Sequence, residues 1–184
     1  MHRLPKFILS ILILGLGAFP AHAKEITVPV TASIEQASIE VTKEANVDFG
    51  NIVVTKAAEV LIDAKAGAAT PTVQNGRVAI AGGSSGKINV KSPVPASVSI
   101  TYSVKGGVNG TGAADILQDD TNTANTLTFT GSDVGKYSSV SNGGTLELLA
   151  DTVQEVHIGG LIGIGDAQSE GGYKGLITVS VNYQ

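Results

Sequence analysis

The sequence predicts an all-β protein folded as an antiparallel β-sandwich. Apolar and polar residues alternate in many short segments rich in Val, Ile and Thr, which is the pattern of half-buried strands. Clusters of Gly, Asn, Asp and Pro separate these segments, as turns do. Apolar residues do not recur at helical spacing for more than two turns. Many short strands joined by Gly-rich turns are typical of a sandwich.

The first residues have the composition of a secretory signal. Arg3 and Lys6 precede an apolar run from Phe7 to Phe19, and Ala21-His22-Ala23 resembles a small-x-small cleavage site. A membrane-spanning helix needs about 20 apolar residues, which is more than this run provides. We therefore expect a signal peptide at residues 1–23, and we expect the chain to be exported.

The rest of the chain divides into a short extension and one domain. We expect an N-terminal extension at residues 24–35 and a sandwich at residues 36–184, without internal repeats or a linker. The strands predicted in the sandwich are Ser38–Val41, Val47–Val54, Glu59–Asp63, Gly76–Ala81, Lys87–Lys91, Ala96–Lys105, Asp115–Leu117, Thr126–Thr130, Thr145–Leu149, Val153–Leu161 and Gly175–Tyr183. The Ala-rich stretch Ala64–Ala69 is predicted to be a loop because of Gly67 and Pro71. Phe49 and Phe129 are the aromatic rings expected in an otherwise aliphatic core.

Composition excludes several classes of function. The chain of 184 residues has no Cys, which rules out disulfides, thiolate metal sites and a cysteine nucleophile. Its net charge of −4 argues against a nucleic-acid partner. No set of general acid, base and nucleophile is recognisable, so we expect neither an enzyme nor a cofactor or bound metal.

Four short patterns have structural interpretations that we prefer to chemical ones. Gly82–Gly86 matches G-x-S-x-G formally, but a strand pattern follows it where a nucleophile elbow requires a helix. His157 alternates with apolar neighbours and should point to solvent. Asp119-Asp120 lacks calcium-loop spacing, so we expect a solvated turn. The glycines of 159–165 indicate a bulge or a close backbone approach.

The extension contains a strongly alternating strand. Five apolar residues share one face: Ile26, Val28, Val30, Ala32 and Ile34. The four that are larger than Ala would each contribute about 1.5–3 kcal/mol if fully buried. This strand can pack in its own sandwich. It can also complete the sheet of a neighbouring subunit, as a donor strand. The alternation alone leaves both interpretations open.

The C-terminal end resembles the last strand of chaperone–usher pilus subunits. Those proteins carry a Gly 14 places from the end and a penultimate Tyr, matched here by Gly171 and Tyr183. Ile177, Val179 and Val181 share one face with Tyr183. The extension resembles the donor strand of the same family, and its residue pattern is most similar to that of the Cys-free alpha-type fimbriae. Pieces such as Val47–Ile52 are also similar to uncharacterised pilin-like bacterial surface domains.

The resemblance implies an Ig-like sandwich that lacks its last strand. A periplasmic chaperone would pair with the C-terminal strand, and at the outer-membrane usher the extension of another subunit would replace it. The implied function is that of a structural pilus subunit that contributes to adhesion at the cell surface, with a host or surface receptor as a further partner. Pro29 departs from this pattern because it lacks an N–H group and costs one ladder bond. The alternative is a self-contained secreted sandwich that binds a carbohydrate or a protein.

Overall fold

A computed structural model describes residues 38–184, as thirteen strands and one short helix, without the side chains of residues 131–133. The strands are β1 (Glu40–Ala45), β2 (Asn51–Val54), β3 (Ala58–Ile62), β4 (Thr72–Asn75), β5 (Val78–Ala81), β6 (Gly86–Lys91), β7 (Ala96–Gly106), β8 (Ile116–Asp119), β9 (Thr126–Thr128), β10 (Gly144–Leu148), β11 (Gln154–Ile158), β12 (Gly160–Ile164) and β13 (Tyr173–Tyr183). The helix is α1 (Gly131–Lys136). The expected signal peptide at residues 1–23 and the expected extension at residues 24–35 lie outside the described residues.

The strands form three antiparallel sheets. One sheet has the order β1-β6-β11, and a second has the order β10-β7-β13-β8-β9-β12-β3-β4. In the third sheet, as far as residues 38–184 show, β2 and β5 pair only with each other. Every pairing between the named strands is antiparallel, which confirms the predicted all-β class.

The core lies between the two larger sheets, as in a sandwich. In β6, buried residues alternate with half-buried ones, and Ile88 and Val90 point inward. In β7 the inward residues are Val98, Ile100, Tyr102 and Val104. These side chains belong to one hydrophobic cluster with residues of β3, β10, β11 and β12. Period-2 alternation therefore selects the buried face of each layer, as the sequence predicts.

The prediction of a single strand at Val153–Leu161 is wrong, because the segment contributes to two strands that lie in two different sheets. β11 pairs with β6, whereas β12 pairs with β3 and touches β9. Gly159 separates them, and a Cβ there would collide with the backbone oxygens of Ile62 and Tyr137. The absence of a side chain lets the backbone pass between the layers, which is the close approach that the glycines indicate.

Two further elements differ from the prediction. The strand predicted at Gly76–Ala81 begins at Val78, and β4 precedes it without having been predicted. β4 pairs with β3 whereas β5 pairs with β2, so the two strands diverge from Gly76. The helix α1 was also not predicted, because its six residues are too few to show a periodic apolar stripe.

The aromatic core is larger than predicted. Phe129 is buried and meets the half-buried Phe49 edge to face, with ring centroids 5.7 Å apart. Tyr102 is a third core ring, and its hydroxyl donates a hydrogen bond of 3.1 Å to the Val140 carbonyl. A buried tyrosine needs such a partner for its hydroxyl. Burial raises the pKa of Tyr102 to about 12, against a smaller lowering by a hydrogen bond with Ser138.

Candidate functional site

The C-terminal strand β13 has a strand partner on only one side for most of its length. From Gly175 to Tyr183 it pairs with β7 without a register shift, and only Tyr173 and Lys174 pair with β8. Within residues 38–184, no other strand pairs with Gly175–Tyr183. Backbone N–H and C=O groups on that side are therefore available to a further strand.

The core-facing side chains of β13 are incompletely covered. Ile177, Val179 and Val181 stand opposite Val104, Tyr102 and Ile100 in the β7 ladder. Directly opposed residues of an antiparallel pair share one face of the sheet. The β7 residues are at most 6% exposed, whereas the three β13 residues are only half-buried, and Tyr183 is 41% exposed. Among the described residues, the side chains of this row are left partly uncovered on the side of β13 that faces away from β7.

The predicted C-terminal site residues are thus brought together along one element. Ile177, Val179, Val181 and Tyr183 form a single row on the core side of β13, as the alternation predicts. Gly171 lies two residues before the strand begins. The predicted donor residues Ile26, Val28, Val30, Ala32 and Ile34 lie outside the described residues, as does Pro29.

Strand β1 forms a second sheet edge of different character. Its one strand partner in the described part of the chain is β6, and all its residues are exposed. Val41 and Lys43 stand opposite the buried Val90 and Ile88, so both occupy the core-facing side of the sheet. The register shifts between Lys43 and Ala45, which marks a bulge.

The turn after β8 is organised by a buried carboxylate, which corrects the solvated turn expected at Asp119-Asp120. Asp119 is only 2% exposed, and its Oδ1 accepts hydrogen bonds from the Thr121 N–H (2.8 Å) and hydroxyl (2.9 Å). The backbone hydrogen bond from Thr121 is the largest cause that lowers the pKa of Asp119. Only Asp120 is exposed, and it pairs with Lys174.

Gly171 has a steric role at this carboxylate. A Cβ at Gly171 would collide with the Asp119 side chain, whereas one at Gly172 would lie 3.7 Å from Asp120 Oδ2. Because Asp119 ends β8 and pairs with Tyr173, the carboxylate packs where β13 begins. The sequence offered one signal for this arrangement, an acidic residue at a strand end followed two places later by Thr.

A polar row crosses the outer face of the β1-β6-β11 sheet. Lys87 Nζ lies 2.9 Å from Glu155 Oε1, and His157 Nε2 lies 3.5 Å from Glu155 Oε2. The hydrogen bond between Lys87 and Glu155 raises the pKa of Lys87 and lowers the pKa of Glu155. His157 is on the outer face, as predicted, although its side chain is only 17% exposed.

The remaining chemical candidates have structural roles. Ser84 exchanges backbone hydrogen bonds with Asp48, and the buried Ser85 hydroxyl accepts one from Ala69 N–H at 3.1 Å. Gly86 then opens strand β6, not a helix. Within residues 38–184 no three His, Asp or Glu side chains are grouped so that they could hold a metal ion. No helix in that part of the chain is long and apolar enough to cross a membrane.

A family model covers nearly all the described residues. The model is that of a domain of unknown function (DUF4402), and it matches residues 39–183. The chain belongs to this family. No curated protein and no solved structure gives a significant match. The DUF4402 domain contains both sheet edges, β1 and β13, whereas the segment predicted as a donor strand precedes it.

Proposed function

We propose that this protein is a structural subunit of a surface pilus, assembled by donor-strand exchange. The observation that carries the proposal is the open side of β13. Among residues 38–184, the segment Gly175–Tyr183 has one strand partner, and its core-facing Ile177, Val179 and Val181 are half-buried beside buried neighbours on β7. A strand added there would satisfy the free backbone groups and cover the apolar row.

The extension predicted at residues 24–35 has the complementary pattern. An added strand must present apolar side chains at every second position so that they enter the space beside β13. Ile26, Val28, Val30, Ala32 and Ile34 provide that spacing. Burial of each large side chain would contribute about 1.5–3 kcal/mol, and the ladder hydrogen bonds would fix the register. Pro29 lies on the opposite face, so it removes one ladder bond and leaves the apolar row intact.

The assembly route follows from the exposed edge. A long uncharged edge strand promotes aggregation if nothing covers it during export. A periplasmic chaperone would cover β13 first, and the outer-membrane usher would exchange it for the extension of another subunit. The mature protein would reside in a fibre at the cell surface and contribute to adhesion by binding, without catalysis and without a cofactor.

The test supplies the missing strand within one chain. A copy of residues 24–34 is attached after Gln184 through a short Gly-Ser linker, and the protein is expressed for export. We expect a monomer whose thermal midpoint exceeds that of the unmodified chain by at least 10 °C, since the added burial amounts to several kcal/mol. Sedimentation velocity and thermal denaturation measure the two properties.

The matched control changes only the apolar face of the added copy. The substitutions Ile26→Ser, Val28→Ser and Val30→Ser in the copy retain its length and backbone but should abolish the stabilisation. Hydrogen exchange of Gly175–Tyr183 provides an independent readout. The proposal fails if the unmodified chain is monomeric and β13 already exchanges as slowly as β7.

A further inference from the structure

We propose that Lys43 determines where an incoming strand can add, by closing the β1 edge and leaving β13 as the acceptor. This inference rests on the proposed function. It concerns a problem specific to an open sandwich, in which more than one strand has an unpaired side that could accept a partner. Among the described residues, β1 and the Gly175–Tyr183 part of β13 are two such edges.

The position of Lys43 is unusual for a charged residue. It stands opposite Ile88, which is 6% exposed, so its side chain starts on the core-facing side of the sheet. Its neighbour on that side is Val41, opposite the fully buried Val90. The Lys43 ammonium reaches solvent, where it donates a hydrogen bond of 3.2 Å to Asn46 Oδ1. Among the described residues, no strand lies beyond β1 in its sheet, which leaves this route to solvent open.

A strand added beside β1 would remove that route. The incoming side chains would cover the core-facing side, and the ammonium would lose water without gaining a carboxylate. The bulge between Lys43 and Ala45 also interrupts the regular spacing of backbone groups that a new strand would need. An inward-pointing charge and a bulge are two of the devices by which natural edge strands avoid pairing.

The β13 edge has neither device. The segment Gly175–Tyr183 contains no charged residue and no Pro, and its register opposite β7 is unbroken. A segment with the alternation of residues 24–34 could therefore pair with either edge by its apolar pattern alone. Lys43 disfavours pairing at β1 and has no counterpart in Gly175–Tyr183, so an incoming strand adds beside β13 in preference to β1.

The experiment replaces Lys43 in the unmodified chain and in the chain with the C-terminal copy of residues 24–34. In the second form β13 is already covered, so further association reports on the remaining edges. We expect Lys43→Val to strengthen self-association of this form at least tenfold by sedimentation. We also expect residues 40–45 to become protected from hydrogen exchange as the protein concentration rises.

Two variants separate the inward charge from other effects. Lys43→Arg keeps the charge and should behave as the natural residue does. Thr42→Val adds a β-branched apolar residue to the outer face of the same strand, opposite Asn89, and should leave the protein monomeric. If Thr42→Val associates as strongly as Lys43→Val, strand propensity is responsible and the proposal is overturned.

The outcomes also separate this inference from the proposed function. If Lys43→Val changes neither association nor exchange at residues 40–45, the role of Lys43 is refuted whatever the copy does. If the copy fails to stabilise the chain while Lys43→Val still promotes pairing at β1, the pilus proposal fails and the protective role stands. Should Lys43→Val not fold, Lys43→Gln removes the charge at similar length and is subject to the same criteria.

Discussion

Strand β1 and the open side of β13 differ in length, in charge and in the regularity of their pairing. β1 is short, carries Glu40, Lys43 and Glu44, and contains a bulge. β13 is long, and its segment Gly175–Tyr183 is uncharged and regularly paired with β7. Stable monomers protect both of their edges. The difference teaches that this domain restricts pairing at one edge and retains the capacity for it at the other.

The largest effect should come from placing a charge in the open row of β13. Val179→Asp puts a carboxylate on the core-facing side opposite Tyr102. Because Val179 is half-buried, the domain itself should fold, but an added strand would bury the charge. We expect the C-terminal copy of residues 24–34 to bind at least a hundredfold more weakly, or about 2.8 kcal/mol. The loss of its thermal stabilisation measures this change.

Ser180→Asp is the matched control for that prediction. It places the same charge one residue later, on the opposite face of β13, where Ser180 is exposed. The copy should still stabilise this variant. Equal losses in both variants would show that charge anywhere on β13 disrupts pairing, and the open core-facing row would then not be the acceptor.

The next effect concerns the start of β13. Gly171→Ala introduces a Cβ that collides with the buried Asp119 carboxylate, so either the loop or β8 must move. We expect a loss of about 2 kcal/mol in the free energy of unfolding, from urea denaturation. Gly172→Ala should cost less than about 0.5 kcal/mol, since its Cβ would meet Asp120 only at an ordinary 3.7 Å. A larger cost at Gly172 would contradict the steric role of Gly171.

A smaller effect tests the buried residue opposite Val179. Tyr102→Phe removes the donor to the Val140 carbonyl and should destabilise the domain by about 1 kcal/mol. Burial raises the pKa of Tyr102 to about 12. The natural protein should therefore lose stability as the pH rises from about 10, where the unfolded tyrosine ionises, towards that value.

Comparison with an exposed tyrosine isolates this alkaline dependence. Tyr102→Phe should be less sensitive to pH in that range than the natural protein. Tyr183→Phe, at the exposed end of β13, should change neither the stability at neutral pH nor its alkaline dependence. Urea denaturation at several pH values provides both readouts. An alkaline loss that is unchanged in Tyr102→Phe would show that other groups cause it.

The smallest effect should appear on the acid side. Hydrogen bonds from Thr121 lower the pKa of Asp119, so its charged form favours the folded state. This contribution is present above the ordinary pKa of about 3.9 and is lost as the pH falls through the lower folded value. Asp119→Asn should weaken the acid dependence of unfolding by urea. An equal change in Asp120→Asn, at the exposed neighbour, would contradict the assignment to Asp119.

Local patterns in the sequence predicted the strands better than they predicted the contacts between them. Alternation alone identified the row Ile177, Val179, Val181, because a period of two fixes the face regardless of partners. It could not show that Lys43 lies in a strand at a sheet edge, because that depends on the pairing with β6 and on the strand order of the described sheet. The burial of Asp119 was missed for a similar reason, since it requires Gly171 from a distant part of the chain. The pilus function and the role of residues 24–34 remain predictions.

The passage of one segment through both layers at Gly159 affects how the domain unfolds. β11 is held by β6 in one layer, and β12 is held by β3 in the other. Because one glycine joins the two strands, loss of the β11 ladder directly frees the first residue of β12, and the reverse also holds, which couples the separation of the two layers. In a protein without a single cysteine, this continuity acts as a covalent tie between the sheets. It favours a single cooperative transition, because this is the shortest connection between the two larger sheets among the described residues.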